Sequence, residues 1–212
     1  MHKSLRDFMA TLESRGELKR VPEPVNPYLE TTRLAKQSIE VGGPALFFEN
    51  IMNHSVPIVA GLFGSRKRIC IGLGISEDQL YPYFNAAFDH LIEPVMVDKA
   101  PCQDKVCLDS DIDLNQLPLT WHNKLDNGYY LVSACVIAKD MVGIRNSSFH
   151  RMKIHDNRRL GLWMSPYDLK RIVDSYWQVK EPCPIALAIG VDPSTMIASC
   201  TSLPYETDEL AF

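Results

Sequence analysis

Leu5, Phe8, Met9 and Leu12 recur at helical spacing behind a Ser4/Asp7 pair with the Ser-x-x-acid signature of a helix start, and Gly16 ends the run. The pattern predicts a helix over residues 4–15 and a short strand over 17–21, stopped by Pro22 and Pro24. Leu29, Leu34, Ala35 and Ile39 share one face of a second predicted helix, 28–41, with Gly42-Gly43 as its terminator. Short apolar runs at 45–48 and 56–62 read as strands, 65–73 as helical, and 76–91 as a helix that Pro82 can bend. Residues 92–118 carry prolines and acidic pairs with little periodicity, the profile of a linker. Beyond Asn127-Gly128, a strong hairpin or turn signal, β-type runs cover 129–138, 146–153 and 159–164. A helix over 166–178 and strands over 185–191 and 196–199 complete the pattern. The order is an α/β N-terminal domain, 1–110, followed by a β-rich unit with one helix, 111–212.

Composition narrows the class. Of 212 residues, 46% are apolar and 23% charged, as in an ordinary globular protein. A net charge of −4 leaves no basic footprint for nucleic acid. No apolar run reaches membrane-spanning length, and the charged, amphipathic N-terminus is unlike a secretory leader, so a cytoplasmic protein is expected. The six cysteines lack zinc-site spacing and read as reduced, mostly buried thiols. Lys19-Arg20 and the Arg66-Lys67-Arg68 run read as solvated faces.

Candidate chemistry gathers between 117 and 151. The cluster Asn146-Ser147-Ser148-Phe149-His150-Arg151 places amide, hydroxyl, imidazole and guanidinium groups on or beside a strand. Such groups suit an anionic, phosphate-bearing cofactor, whereas a purely structural strand would alternate more plainly.

LRDFMATLESRGELKRV, GGPALFFENI and GLFGSRKRI resemble the N-terminal domain of UbiD-type decarboxylases, and LPLTWHNKLDNGYYLVSACVIAKD and ALAIGVDPSTMIAS continue the likeness in collinear order. GYYLVSACVIAKD is most similar to the large subunit of hydroxyarylic (phenolic) acid decarboxylases. The resemblance implies an α/β domain followed by a β-barrel of the FMN-binding split-barrel type. That barrel is expected to be incomplete and truncated here, with the family's C-terminal domain and later catalytic glutamates absent. It also implies non-oxidative decarboxylation of an aromatic, hydroxybenzoate-type acid by a carboxy-lyase using prenylated FMN. A flavin prenyltransferase would supply the cofactor, and Mn2+, often with K+, would hold its phosphate. The complete enzyme would be a homo-oligomer, and a second polypeptide could carry the missing domains.

Residue by residue, the resemblance assigns Arg151 as the active-site arginine, a buried guanidinium that holds the substrate carboxylate. Its alternative is a strand arginine paired at the surface. Asn146 and Glu209 match metal ligands, with a turn residue and a solvated acid as the alternatives. Asp168 stands where the family has a ligating histidine, and is equally well explained as a first-turn acid complementing a helix dipole. Ser148, Phe149 and His150, with Ser199, Cys200 and Thr201, match two strand segments that line the flavin, largely through backbone. His150 is equally well a structural strand histidine. The 212 residues alone are expected to be inactive, since no acid for the protonation step is recognisable among them. Two other readings are a non-catalytic remnant or interaction fragment of a split gene and, more weakly, a split-barrel flavin oxidoreductase.

Overall fold

The computed structural model describes residues 2–212. The chain opens with α1 (Leu5–Ser14), whose N-cap Ser4 side chain accepts the Asp7 amide as its spacing predicts. Then come β1 (Leu18–Val21), α2 (Glu30–Glu40), β2 (Ala45–Phe48), β3 (Ile58–Ala60), α3 (Arg66–Leu73) and α4 (Leu80–Asp89). The 3-10 turn Glu77–Gln79 precedes α4, so Pro82 falls in the first turn, where a missing N–H costs nothing. β2 is the centre of the first sheet, parallel to β1 and antiparallel to β3. Its run Ala45-Leu46-Phe47-Phe48 is apolar throughout because both faces are covered: Ala45 and Phe47 pack with Phe8 and Leu12, while Leu46 and Phe48 pack with Val25 and Ile51.

Beyond the irregular stretch come β4 (Tyr130–Leu131), β5 (Ala134–Lys139), β6 (Arg145–Phe149), β7 (Met152–Ile154), β8 (Leu160–Leu162), α5 (Asp168–Gln178), β9 (Ile185–Ile189) and α6 (Pro193–Ala198). They form two further sheets, ordered β4-β7-β8 and β6-β5-β9. The molecule is a mixed α and β fold of small open sheets, and none of them closes into a barrel among the described residues.

Two runs predicted as single strands each divide between the two sheets. Leu131 pairs with Met152 and Cys135 with Phe149. Three residues, Val132 to Ala134, therefore face only two, His150 and Arg151. This one-residue excess is a β-bulge, which bends the ribbon and turns its strands into the second sheet. His150 and Arg151 stand at that corner. Asn127-Gly128 is a bend rather than a two-residue hairpin turn, since neither residue has the positive φ that a type I′ turn requires.

In sheet β6-β5-β9 the central strand β5 is covered on both faces, while β9 stays largely exposed. Val136 and Ala138 pack against Leu169, Ile172 and Val173 of α5, and Cys135 and Ser147 meet Ser199 at the end of α6. Residues 196–199, expected as a strand, belong instead to α6 and its C-cap. Asp192 accepts the Ser194 and Thr195 amides and Pro193 follows it, a strong helix start that outweighs the apolar run. α6 lies so close to α3 that a Cβ on Gly72 would sit 2.8 Å from Pro193 Cβ. Trp121 also exchanges backbone hydrogen bonds with Pro27 and Leu29.

Two surface expectations need correction. Arg68 is 2% exposed rather than solvated, because it shares the inner face of α3 with Ile71, one turn on. Of the cysteines, Cys70 and Cys135 are buried, Cys183 is half-buried, and Cys102, Cys107 and Cys200 are exposed. The last three lie in irregular segments or just past a helix end, where there is little to bury a thiol.

Candidate active site

β6 is an edge strand, and its outward amides need partners. The segment after α6 returns to supply one. Its 3-10 turn Glu209–Ala211 lays Glu209 along the strand edge. Glu209 Oε2 accepts the Ser147 amide at 2.8 Å, and Oε1 accepts Asn146 Nδ2 at 2.8 Å. Both residues are buried, with Asn146 6% and Glu209 4% exposed. Burial pushes the Glu209 carboxyl above the usual carboxylate range. The Ser147 and Asn146 hydrogen bonds oppose this, and the charge of Asp168 adds to it. Asp168, half-buried in the first turn of α5, is thus within electrostatic reach of Glu209. Asn146 and Glu209 are in direct contact, whereas Asp168 makes no hydrogen bond or ion pair with either.

The hydrogen bonding continues along β6. Ser148 Oγ lies 3.0 Å from Asn146 Oδ1 and 3.0 Å from His150 Nε2. His150 Nδ1 faces the Trp163 carbonyl at 3.2 Å, and burial lowers the imidazole pKa, against the pull of that carbonyl. Ser148 Oγ donates to Asn146 Oδ1, which leaves its lone pairs to face His150 Nε2. Asn146 thus donates to Glu209 and accepts from Ser148.

None of Arg151, Asp168 and Glu209 joins an ion pair among the described residues. A buried carboxylate outside any ion pair, beside an amide oxygen and with a second acid contributing to its electrostatics, offers the oxygen donors that a hard divalent ion takes. No cluster of three or more His, Cys, Asp or Glu side chains occurs among the described residues, so an ion here would draw on the Asn146 amide oxygen as well as the acids.

The other expected residues divide. Phe149 and His150 are half-buried beside the bulge, but Arg151 is exposed, so the buried guanidinium expected there is not found. Arg151 lies between β6 and β7, outside both sheets. The Ser199 hydroxyl is fully engaged, at 2.6 Å from Ser147 Oγ, 3.1 Å from Cys135 Sγ and 2.8 Å from the Thr195 carbonyl. Thr201 likewise bonds back to the Ile197 carbonyl at 3.0 Å. These side chains tie α6 to the sheet, leaving backbone and the exposed Cys200 to face a ligand.

Sequence reasoning missed the Tyr205–Asp140 pair. Tyr205 OH donates to Asp140 Oδ2 at 2.8 Å, and the Arg171 guanidinium covers the Tyr205 ring at 3.6 Å. A groove of about 630 Å3 opens here, lined by Asp140, Ile144, Tyr167, Lys170, Arg171 and Tyr205. Burial, then the hydrogen bond to Asp140, raises the Tyr205 phenol to about 12. Burial alone would raise the Asp140 carboxyl, but the bonds from Tyr205 and the Ile144, Val142 and Gly143 amides outweigh it and lower the pKa. A raised phenol pKa stabilises below its ordinary value of 10.0, and that stability is lost as pH climbs toward 12. A depressed carboxyl pKa stabilises above its ordinary 3.8, and that contribution is lost as pH falls through the depressed value. Tyr205→Phe should cost about 1–2 kcal/mol near neutral pH. It should also flatten the alkaline arm of the stability curve, as read by urea unfolding across pH. An unchanged alkaline arm would remove Tyr205 from this role.

The model of the 3-octaprenyl-4-hydroxybenzoate carboxy-lyase N-terminal domain matches residues 9–87, and that of the carboxy-lyase Rift-related domain matches residues 94–212. The chain belongs to the UbiD family of decarboxylases. Among solved structures, an evolved dimeric form of the UbiD-class enzyme HmfF from Pelotomaculum thermopropionicum, in complex with prFMN, is 34% identical with a TM-score of 0.92. That match covers 99% of this chain and 49% of the other. Vanillic acid decarboxylase ShVdcCD from Sedimentibacter hydroxybenzoicus, in its closed form, is 28% identical with a TM-score of 0.94, over 100% of this chain and 48% of the other. The 3,4-dihydroxybenzoic acid decarboxylase AroY from Klebsiella pneumoniae is 26% identical with a TM-score of 0.86, over 99% and 47%. The chain thus spans about half the length of the solved chains it matches. No helix is long and apolar enough to cross a membrane among the described residues.

Proposed function

We propose that this chain provides the first half of a prenylated-FMN-dependent, non-oxidative decarboxylase of aromatic, hydroxybenzoate-type acids. The observation that carries the reading is the buried Asn146–Glu209 pair, in which the carboxylate joins no ion pair and feels the charge of Asp168. The similar HmfF structure is a complex with prFMN, and two other relatives are decarboxylases of vanillic and 3,4-dihydroxybenzoic acid.

In this reading Asn146, Asp168 and Glu209 would hold a divalent ion, Mn2+, whose charge would help retain the flavin phosphate. The segments 148–151 and 199–201 line the flavin, mainly through backbone, on sheets that would form part of a split barrel. The bound flavin supplies an electron sink for the pair released as carbon dioxide leaves. Arg151 receives the substrate carboxylate in a bidentate grip, and its exposure leaves the guanidinium free to do so. His150, anchored to Trp163, stiffens the corner that carries it. The full site draws on residues that the longer relatives carry, on one polypeptide or on a second one. Exposure of Arg151 also favours a second reading, a non-catalytic interaction fragment.

The test is co-production with a flavin prenyltransferase, followed by the absorbance spectrum, metal content and carbon dioxide release from a panel of hydroxybenzoic acids. The 212-residue chain should carry flavin and manganese in near-equal amounts yet release no carbon dioxide. A chain joined to the half its relatives possess should turn over, and Arg151→Ala in that form should be inactive. Failure of both forms to hold flavin or manganese would contradict the decarboxylase reading.

A further inference from the structure

Arg145 and Asp208 make a second contact one residue before the candidate metal pair on both sides. Arg145 precedes Asn146 on β6, and Asp208 precedes Glu209 in the returning segment. Arg145 Nε donates to Asp208 Oδ2 at 2.8 Å and its Nη2 donates to the same oxygen. Asp208 Oδ1 accepts the Leu210 amide at 2.9 Å and so starts the turn that bears Glu209. Two successive strand residues therefore grip two successive turn residues. Arg145 and Asn146 project to opposite faces of β6, so the grip straddles the strand edge and stops the turn from rotating about it.

We propose that Arg145, through Asp208, is the positioning residue that holds Glu209 against Asn146 and the Ser147 amide. The proposal rests on the metal reading above for its consequence, but not for its geometry. A carboxylate that is 4% exposed would regain solvation by turning outward, and something must oppose that. The Arg145–Asp208 pair, with side chains 24% and 19% exposed, is shielded enough to do so.

Two accounts of Arg145 predict opposite signs. If its guanidinium acted only as a nearby positive charge, removing it would tighten cation binding. If it positions Glu209, removing it weakens cation binding. The experiment titrates the full 212-residue chain with Mn2+, following the paramagnetic resonance signal of the free ion, and separately follows hydrogen exchange of the Ser147 amide without metal. Arg145→Ala should weaken Mn2+ binding by about tenfold or more, the usual scale for losing a group that supports a ligand. Arg145→Lys, which keeps a donor and the charge, should recover most of it. Exchange at Ser147 should rise in Arg145→Ala while Ile172 in α5 stays protected, so that general unfolding is separated from release of Glu209. Mn2+ binding equal to or tighter than that of the unaltered chain, with Ser147 still protected, overturns the proposal. If the unaltered chain binds no Mn2+ but Ser147 exchange rises in Arg145→Ala, the positioning stands and only the metal reading falls.

Discussion

Glu209→Gln is expected to weaken Mn2+ binding by more than about 100-fold, beyond the about 10–100-fold typical of losing a supporting group. The substitution removes the one fully buried carboxylate of the donor set and leaves Asn146 and Asp168, neither of which can neutralise a divalent ion alone. The same change should leave the metal-free fold as stable as before, or more so. Burial raises the Glu209 pKa, so its ionised form opposes folding, and the opposition grows as pH climbs from the ordinary 4.5 through the raised value. Glutamine has no charge to desolvate, and its carbonyl still accepts the Ser147 amide. Turning over the Asn146 amide gives the new N–H group an acceptor. Lost metal binding with undiminished stability marks a group held for function at the expense of the fold. A large loss of stability in metal-free Glu209→Gln would instead make Glu209 a structural cap on β6.

Arg68→Ala should cost about 3 kcal/mol, the lower end of the range for breaking a buried ion pair. Arg68 Nη1 donates to the Gly43 carbonyl at 2.8 Å and to Glu17 Oε2 at 3.2 Å. Alanine would strand that carbonyl and open a cavity under α3. The loss stays near the lower end because Glu17 keeps Lys67, at 2.6 Å. Arg68 Nε is already buried without a partner, so Arg68→Met, which fills the space and removes that orphan donor, should cost much less than alanine. Urea unfolding compares the two. Equal losses would assign the effect to the charge and the Gly43 carbonyl, which both variants lose, rather than to packing.

These residues show what the chain discloses before it folds. The helices and strands up to residue 91 follow from apolar periodicity and capping residues because their packing partners are close in sequence. Ser4, Gly16 and Gly42-Gly43 each punctuate the pattern where the structure does. Local signals fail where two elements compete or where a contact is remote. The run at 196–199 is too short for periodicity to separate helix from strand, and the deciding cap, Asp192-Pro193, lies just before it. The bulge at His150 and Arg151 leaves no mark in the apolar pattern, since both of its flanking strands remain β-like. Asn146 and Glu209 lie 63 residues apart and meet only because a returning turn caps a sheet edge. Resemblance singled them out, and no periodicity could. The Arg145–Asp208 and Tyr205–Asp140 pairs were hidden for the same reason, although every charged partner was visible in the sequence.

On the proposed reading, Asn146, Glu209 and Asp168 form a divalent-ion site. Anomalous diffraction at the manganese edge, from crystals of this chain grown with Mn2+ and FMN, tests it most directly. The account predicts an anomalous peak flanked by the Asn146 and Glu209 oxygens, with Asp168 on its open side. Manganese bound elsewhere, with the Asn146–Glu209 hydrogen bond still intact, would contradict it.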